Sequence, residues 1–300
     1  MSRAKKLNIL IPAIFLLFAG AFARHRYLAH EIVLSGNLQD KAMNETSGIA
    51  ASTVNKDTYY THNDSGDTSR FFAISPGGKL ISTLYFKGNP AESLGVKDCE
   101  DIAVGPGPVK NKSYVYVGDI GDNAAVRNFI TIYRIPEQTT WTKGGNINVT
   151  ATPVNLKYPD GPKDAETLMI DPVEKLLYII SKRTDTVSVY TAPLYYKAND
   201  TLVMTYRAKL FFKGYKPFKW IVSGDISKDG KQVLVKSYEK VYYWKREGNE
   251  PIWQTLQRVP DEPKYQQEKQ GEAISFTLDG RGFYTVSEGV FAPVYYYKVF

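Results

Sequence analysis

Apolar and polar positions alternate along this chain in short runs, and the runs come in pairs. The clearest pair is Gly271-Glu272-Ala273-Ile274-Ser275-Phe276 and Gly282-Phe283-Tyr284-Thr285-Val286-Ser287, separated by an Asp279-Gly280 turn. A period of two on both sides of an Asp-Gly step predicts strand, turn, strand. Four earlier stretches repeat the unit, starting at Thr46-Ser47-Gly48-Ile49, Cys99-Glu100-Asp101-Ile102, Ala165-Glu166-Thr167-Leu168 and Ser223-Gly224-Asp225-Ile226. With Ile49, Ile102, Leu168, Ile226 and Ile274 aligned, the spacings are 53, 66, 58 and 48 residues. Repeats of that period with several strands each predict an all-β fold, a β-propeller.

Counting strands gives five blades of four antiparallel strands. The expected strands of blade one are 47–52, 58–63, 70–75 and 79–86, and those of blade two 100–104, 113–120, 130–136 and 148–158. Blade three takes 166–170, 176–182, 187–192 and 202–212; blade four takes 225–227, 232–237, 240–245 and 252–259. Blade five takes 272–278, 282–287 and 293–300, one strand short. The run His30-Glu31-Ile32-Val33-Leu34 has no neighbouring partner and is expected to supply that strand, closing the ring and removing its open edges. The alternative is six blades, with a further one inside 190–220.

Composition narrows the class. The chain has 300 residues, 22 of them Tyr, enough for one large aromatic core in a single domain over 24–300. Residues 1–23 read as a signal peptide: Arg3, Lys5 and Lys6, an apolar stretch from Leu7 to Phe22, then the small-x-small step Ala21-Phe22-Ala23. That stretch is short for a membrane span. The expectation is a secreted, extracellular protein with no stable span after cleavage; the alternatives are a signal anchor or a periplasmic location. Without those three basic residues the formal net charge of +7 falls to +4. No basic run suggests nucleic acid. Cys99, the single cysteine, forms no disulfide within the chain and is expected to be buried in an inner strand. Sequons at Asn44, Asn63, Asn111, Asn148 and Asn199 make the chain a glycoprotein candidate in a eukaryotic secretory context.

In a propeller, the start of each inner strand lies at the same end as the turn between the second and third strands. Two sets of side chains therefore meet at one mouth. Ser47, Glu100, Glu166, Gly224 and Glu272 share one repeat position, with Ser223 beside Gly224. The turns bring Asp64, Asp67, Asp119, Asp122, Asn123, Lys182, Arg183, Lys236 and Glu288. Three glutamates in one tunnel repel one another unless they are protonated or hold a cation. Oxygen donors favour Ca²⁺ or Mg²⁺ over zinc, and His25, His30 and His62 are too few for a histidine-based site. The structural alternative is that these polar side chains only tie neighbouring blades together.

The order Ser47, Glu100, Glu166, a small residue and Glu272 over five blades resembles the calcium-activated nucleotidase (apyrase) family. The likeness takes in Ser47-Gly48-Ile49, Val96-Lys97-Asp98-Cys99-Glu100 with Tyr114–Gly118, Lys236-Ser237 and Gly271-Glu272-Ala273-Ile274. Where that family has a serine in the fourth blade this chain has Gly224 next to Ser223, and where it has an aromatic residue after the second glutamate this chain has Asp101. The resemblance implies a five-bladed propeller, a Ca²⁺ held by Ser47, Glu100, Glu166, Ser223 and Glu272, and hydrolysis of nucleoside di- and triphosphates. Asp64, Asp119 or Glu288 would position the attacking water, and Lys182 and Arg183 would neutralise charge. The residues themselves leave two functions open. One is a binding propeller for a carbohydrate, a protein or a phosphorylated or otherwise anionic small molecule. The other is a Ca²⁺-dependent phosphoanhydride hydrolase.

Overall fold

The computed structural model describes residues 31–299. The expected signal peptide, His25, His30 and Phe300 lie outside them. Five small sheets form five blades around a central tunnel, and the inner strands touch in the cyclic order one, two, three, four, five, one. The five-bladed expectation holds, and the 190–220 stretch contains no sixth blade.

Blade one is β2 (Thr46–Ala51), β3 (Tyr59–Asn63), β4 (Arg70–Ile74) and β5 (Leu80–Phe86). Blade two is β6 (Cys99–Pro106), β7 (Ser113–Asp119), β8 (Ile130–Pro136) and β10 (Thr152–Lys157); blade three is β11 (Ala165–Asp171), β12 (Leu176–Ser181), β13 (Thr186–Pro193) and β15 (Thr205–Phe211). Blade four is β16 (Ile221–Ile226), β17 (Gln232–Ser237) and β18 (Val241–Lys245). In blade five, β19 (Gly271–Phe276), β20 (Gly282–Ser287) and β21 (Pro293–Lys298) are completed by β1 (Glu31–Asn37), paired antiparallel to β21 from Glu31↔Lys298 to Asn37↔Pro293. The N-terminal strand thus closes the ring.

Three outer-strand expectations need correction. The run 148–158 is two strands: β9 (Gly145–Val149) adds in parallel to β5 of blade one, and only β10 joins blade two. The run 202–212 splits in the same way, β14 (Thr201–Val203) adding in parallel to β10 before β15 joins blade three. The chain thus covers the outer edges of blades one and two before moving outward on the next blade, which protects those edges. The run 252–259 is not a strand. Pro251 precedes a helical turn, α1 (Ile252–Thr255), and Ile252 and Leu256, four apart, pack into the core on one face.

Apolar clusters fill all five gaps between blades. Between blades one and two, Trp141 sits edge-on to Tyr60 and Phe71, at 5.6 Å from each ring. Such pairs stabilise beyond the area they bury. Cys99 is buried in β6, as expected. Among the described residues no helix is long and apolar enough to cross a membrane.

Every inner strand carries a register shift near its start. The skipped residue is Ser47, Glu100, Glu166, Val222 or Glu272 in blades one to five. A bulge places two residues opposite one and re-aims the extra side chain. In blade four the repeat is therefore offset by two from the sequence alignment: Val222, not Gly224, stands where the other blades have Ser or Glu.

Candidate functional site

The bulges and the turns between second and third strands deliver their side chains to one end of the tunnel, the upper mouth. It divides into two halves of different electrostatics.

On the side of blades one, two and five, Asp64, Asp98 and Glu100 bring one carboxylate oxygen each within 4.8 Å of one another, and so do Asp64, Glu272 and Glu288. Asp64 belongs to both groups. Glu100 and Glu272 come from bulges, Asp64 and Glu288 from the ends of β3 and β20, and Asp98 from the loop before β6. Among the described residues none of the five is in an ion pair. Burial, reinforced by repulsion from Asp98 and Glu272, lifts Asp64 to about 7. Burial and the Glu272 charge lift Glu288 to about 8. Burial and the Glu166 charge hold Glu100 well above the usual carboxylate range. Asp98 is raised by burial and by Asp164. Asp64 and Asp98 repel one another across the first group, and the Glu272 charge acts on Glu288 in the second.

On the side of blades two, three and four several mouth carboxylates are paired with cations. Glu166 pairs with Lys182, both buried, and the Lys182 ammonium also donates to the Tyr238 hydroxyl at 3.0 Å. Asp164 accepts from Arg183 Nε at 2.5 Å and from the backbone N–H of Asp122 at 2.9 Å. Arg183 also donates to Asn123 and lies 5.0 Å from the Trp220 ring centroid. Asp119 is spent on scaffolding: it takes the Arg127 guanidinium at 2.7 Å and the N–H groups of Lys97 and Asp98 at 3.1 Å. It thereby fixes the loop that presents Asp98. Asp122 accepts from Arg127 N at 2.7 Å. Tyr238 bridges the halves, its hydroxyl donating to Glu272 Oε1 at 2.6 Å.

The remaining expected residues are held elsewhere. Ser47 Oγ donates to the Glu100 carbonyl at 2.7 Å. Ser223 Oγ donates at 3.2 Å to Asp101, one layer deeper in the tunnel, where Asp101 also receives the N–H of Leu168 at 2.9 Å. Glu100 and Glu272 thus fall in the carboxylate groups, whereas Ser47, Glu166 and Ser223 have protein partners outside them. Lys236 is fully buried, donates to the Gly271 and Ser237 carbonyls and is lowered to about 8 by burial. Asp67 organises its own turn, accepting from Asn63 at 2.8 Å and Arg70 at 2.9 Å. The same contact leaves the Asn63 sequon amide buried and engaged.

Sequence reasoning missed Asp98, Asp164 and Tyr238 as site residues. A signal was present for the first two. Two residues before the bulge stand Glu45, Asp98, Asp164 and Gln270, so Asp-x-Glu occurs in two successive blades. Tyr238 carried no such mark, because its reach across the mouth depends on a neighbouring blade.

Each of the two groups of three carboxylates can hold a hard cation. The chain matches no family model, and no curated protein matches it.

Proposed function

We propose that this propeller binds Ca²⁺ in the unpaired half of its upper mouth, through Asp64, Asp98, Glu100, Glu272 and Glu288, and uses that ion with Arg183 to bind an anionic ligand. One observation carries the reading. Among the described residues, two groups of three carboxylates joined through Asp64 have no ion-pair partner, although other mouth carboxylates, Asp119, Asp164 and Glu166, each have one. A divalent ion supplies the missing charge, and an all-oxygen set suits Ca²⁺. The bulges aim Glu100 and Glu272 into the mouth, while Asp64 and Glu288 are partly exposed and leave coordination positions open to a ligand. Calorimetric titration with Ca²⁺ after chelator treatment tests this, together with competition by soluble phosphate and carboxylate compounds. Binding of one ion per chain, strengthened by an anion, supports it; absence of Ca²⁺ binding sinks it.

One observation favours a second reading, a Ca²⁺-dependent phosphoanhydride hydrolase. Asp64 and Glu288 are the partly exposed members of the carboxylate groups, where a carboxylate can orient an attacking water. Phosphate release from nucleoside di- and triphosphates, with and without Ca²⁺, separates the two. Turnover abolished by Asp64→Asn would place the hydrolase first; no turnover leaves the binding propeller.

A further inference from the structure

Blade three differs from blades one and two at its outer edge. The edges of β5 and β10 are covered by β9 and β14, but β15 ends the sheet of blade three. From this strand the chain runs into the connection to blade four, Thr205-Tyr206-Arg207-Ala208-Lys209-Leu210-Phe211-Phe212-Lys213-Gly214-Tyr215-Lys216-Pro217-Phe218-Lys219. Aromatic and basic residues are interleaved, and no acidic residue occurs between Asp200 and Asp225.

The structure keeps much of this aromatic surface in solvent. Phe211 is 64% exposed, Tyr215 86% and Phe218 51%. Phe211 and Lys213 border a groove whose far wall includes Val259, itself 91% exposed. The connection folds back so that the Lys219 ammonium lies 5.0 Å from the Phe211 ring centroid. Soluble surfaces seldom present so many large apolar side chains together without a partner.

The charges give the partner's sign. Lys216 and Lys219 share a single carboxylate, Asp185, at 3.0 and 3.5 Å. Glu262 at the groove is taken by Lys240 at 2.8 Å. Arg258 on the far wall is paired with Glu250. Lys209 and Lys213 are exposed, and among the described residues neither is in an ion pair. The edge is therefore net positive with protruding aromatic rings. A soluble polyanion would use the charge and leave the rings in water. The interface of an anionic bilayer uses both: the rings enter the headgroup region and each lysine near it gains about 1 kcal/mol, roughly a fivefold change in binding. We propose that this edge of blades three and four is a peripheral docking surface for an anionic lipid leaflet.

The test is co-sedimentation of the full chain with phosphatidylcholine vesicles, with and without phosphatidylglycerol. EDTA is present throughout so that no ion at the upper mouth bridges to lipid. Binding is expected only with phosphatidylglycerol and should weaken as salt is added. The triple variant Phe211→Ser, Tyr215→Ser, Phe218→Ser and the double variant Lys209→Glu, Lys213→Glu should each weaken it by about tenfold or more. Unchanged melting temperatures show that the variants fold, and if the triple variant does not, the lysine pair alone decides. Wild-type binding by the lysine variant would overturn the proposal, because the lipid contact would then lie elsewhere, such as the N-terminal segment. So would an absence of phosphatidylglycerol-dependent binding. A third contrary result is dextran sulfate binding by the wild type with unimpaired vesicle binding by the aromatic variant, which would assign the surface to a soluble polyanion.

Discussion

The two halves of the upper mouth start from the same repeat position and reach opposite electrostatic states. Glu166 leaves its bulge and meets Lys182 from the end of the second strand of its own blade. Glu100 and Glu272 leave equivalent bulges, but the positions matching Lys182 in their blades hold Ile120 and Glu288, neither of them a cation. The backbone is the same device in each case; the turn residue decides whether the buried carboxylate is compensated. A buried charge without a partner is costly, and burial with like-charge repulsion lifts Asp64 to about 7 and Glu288 to about 8. Removing a cation from the paired half would strand a buried charge, whereas the unpaired half is where the proposed metal ion would supply one.

The largest expected effect lies in the paired half. Lys182→Met strips Glu166 of its partner inside the protein, which costs about 3–5 kcal/mol of stability. Urea denaturation in chelator measures it, and a loss below about 1 kcal/mol would mean that the pair behaves as a surface one. The same substitution removes a positive charge from beside Asp64 and Glu100, so Ca²⁺ affinity should rise.

Next comes the unpaired half. Asp64→Asn removes the side chain common to both carboxylate groups. Loss of a direct ligand should exceed the 10–100-fold typical for a residue behind a ligand, so Ca²⁺ affinity should fall by about 100-fold or more. Without Ca²⁺ the variant should be as stable as the wild type or more so, because repulsion from Asp98 and Glu272 is relieved. A destabilised variant with normal Ca²⁺ affinity would reverse the assignment of the halves.

A pH series sharpens the contrast. Asp64 and Glu288 have folded values of about 7 and about 8, above the roughly 4 of an unfolded carboxyl. Their contribution to stability is present below about pH 4 and lost as pH rises through 7 and 8. His62, fully buried and lowered to about 4, acts in the opposite sense: its contribution is lost as pH falls from about 6.5 towards 4. The ion-free protein should therefore lose melting temperature between about pH 6.5 and 8.5, and Ca²⁺ should abolish that loss. An equal slope with and without Ca²⁺ would show that the titrating groups are not the ligands.

The smallest effect is expected at Asp67. Asp67→Asn weakens a partly exposed contact with Arg70 and should cost about 1 kcal/mol, with Ca²⁺ affinity unchanged. A large affinity loss would extend the site into that turn.

Much of the architecture was legible because the Ile49, Ile102, Leu168 and Ile274 frames lie on strands whose period of two is uninterrupted after the bulge. Blade four misled for a specific reason. Strand alternation repeats every two residues, so the slip that put Gly224 in the place of Val222 kept every inward position inward. The parallel strands β9 and β14 were hidden because their partners belong to the preceding blade, and no local pattern records that choice. At the mouth, Glu100, Glu272 and Asp64 were visible as carboxylates at aligned positions. What sequence could not assign was which carboxylate meets a cation: Lys182 and Arg127 both sit close to the mouth in sequence, and only the folded turns show that they serve Glu166 and Asp119.

The most direct test of the unpaired half is calorimetric titration of the wild-type protein with Ca²⁺ near pH 7, run in two buffers of different ionisation enthalpy. One ion should bind per chain, and the apparent enthalpy should differ between buffers, because protons held by Asp64 and Glu288 near neutral pH are released as the ion enters. Binding with the same heat in both buffers, or no binding, would contradict the claim that Asp64 and Glu288 give up protons to a metal in this half of the mouth.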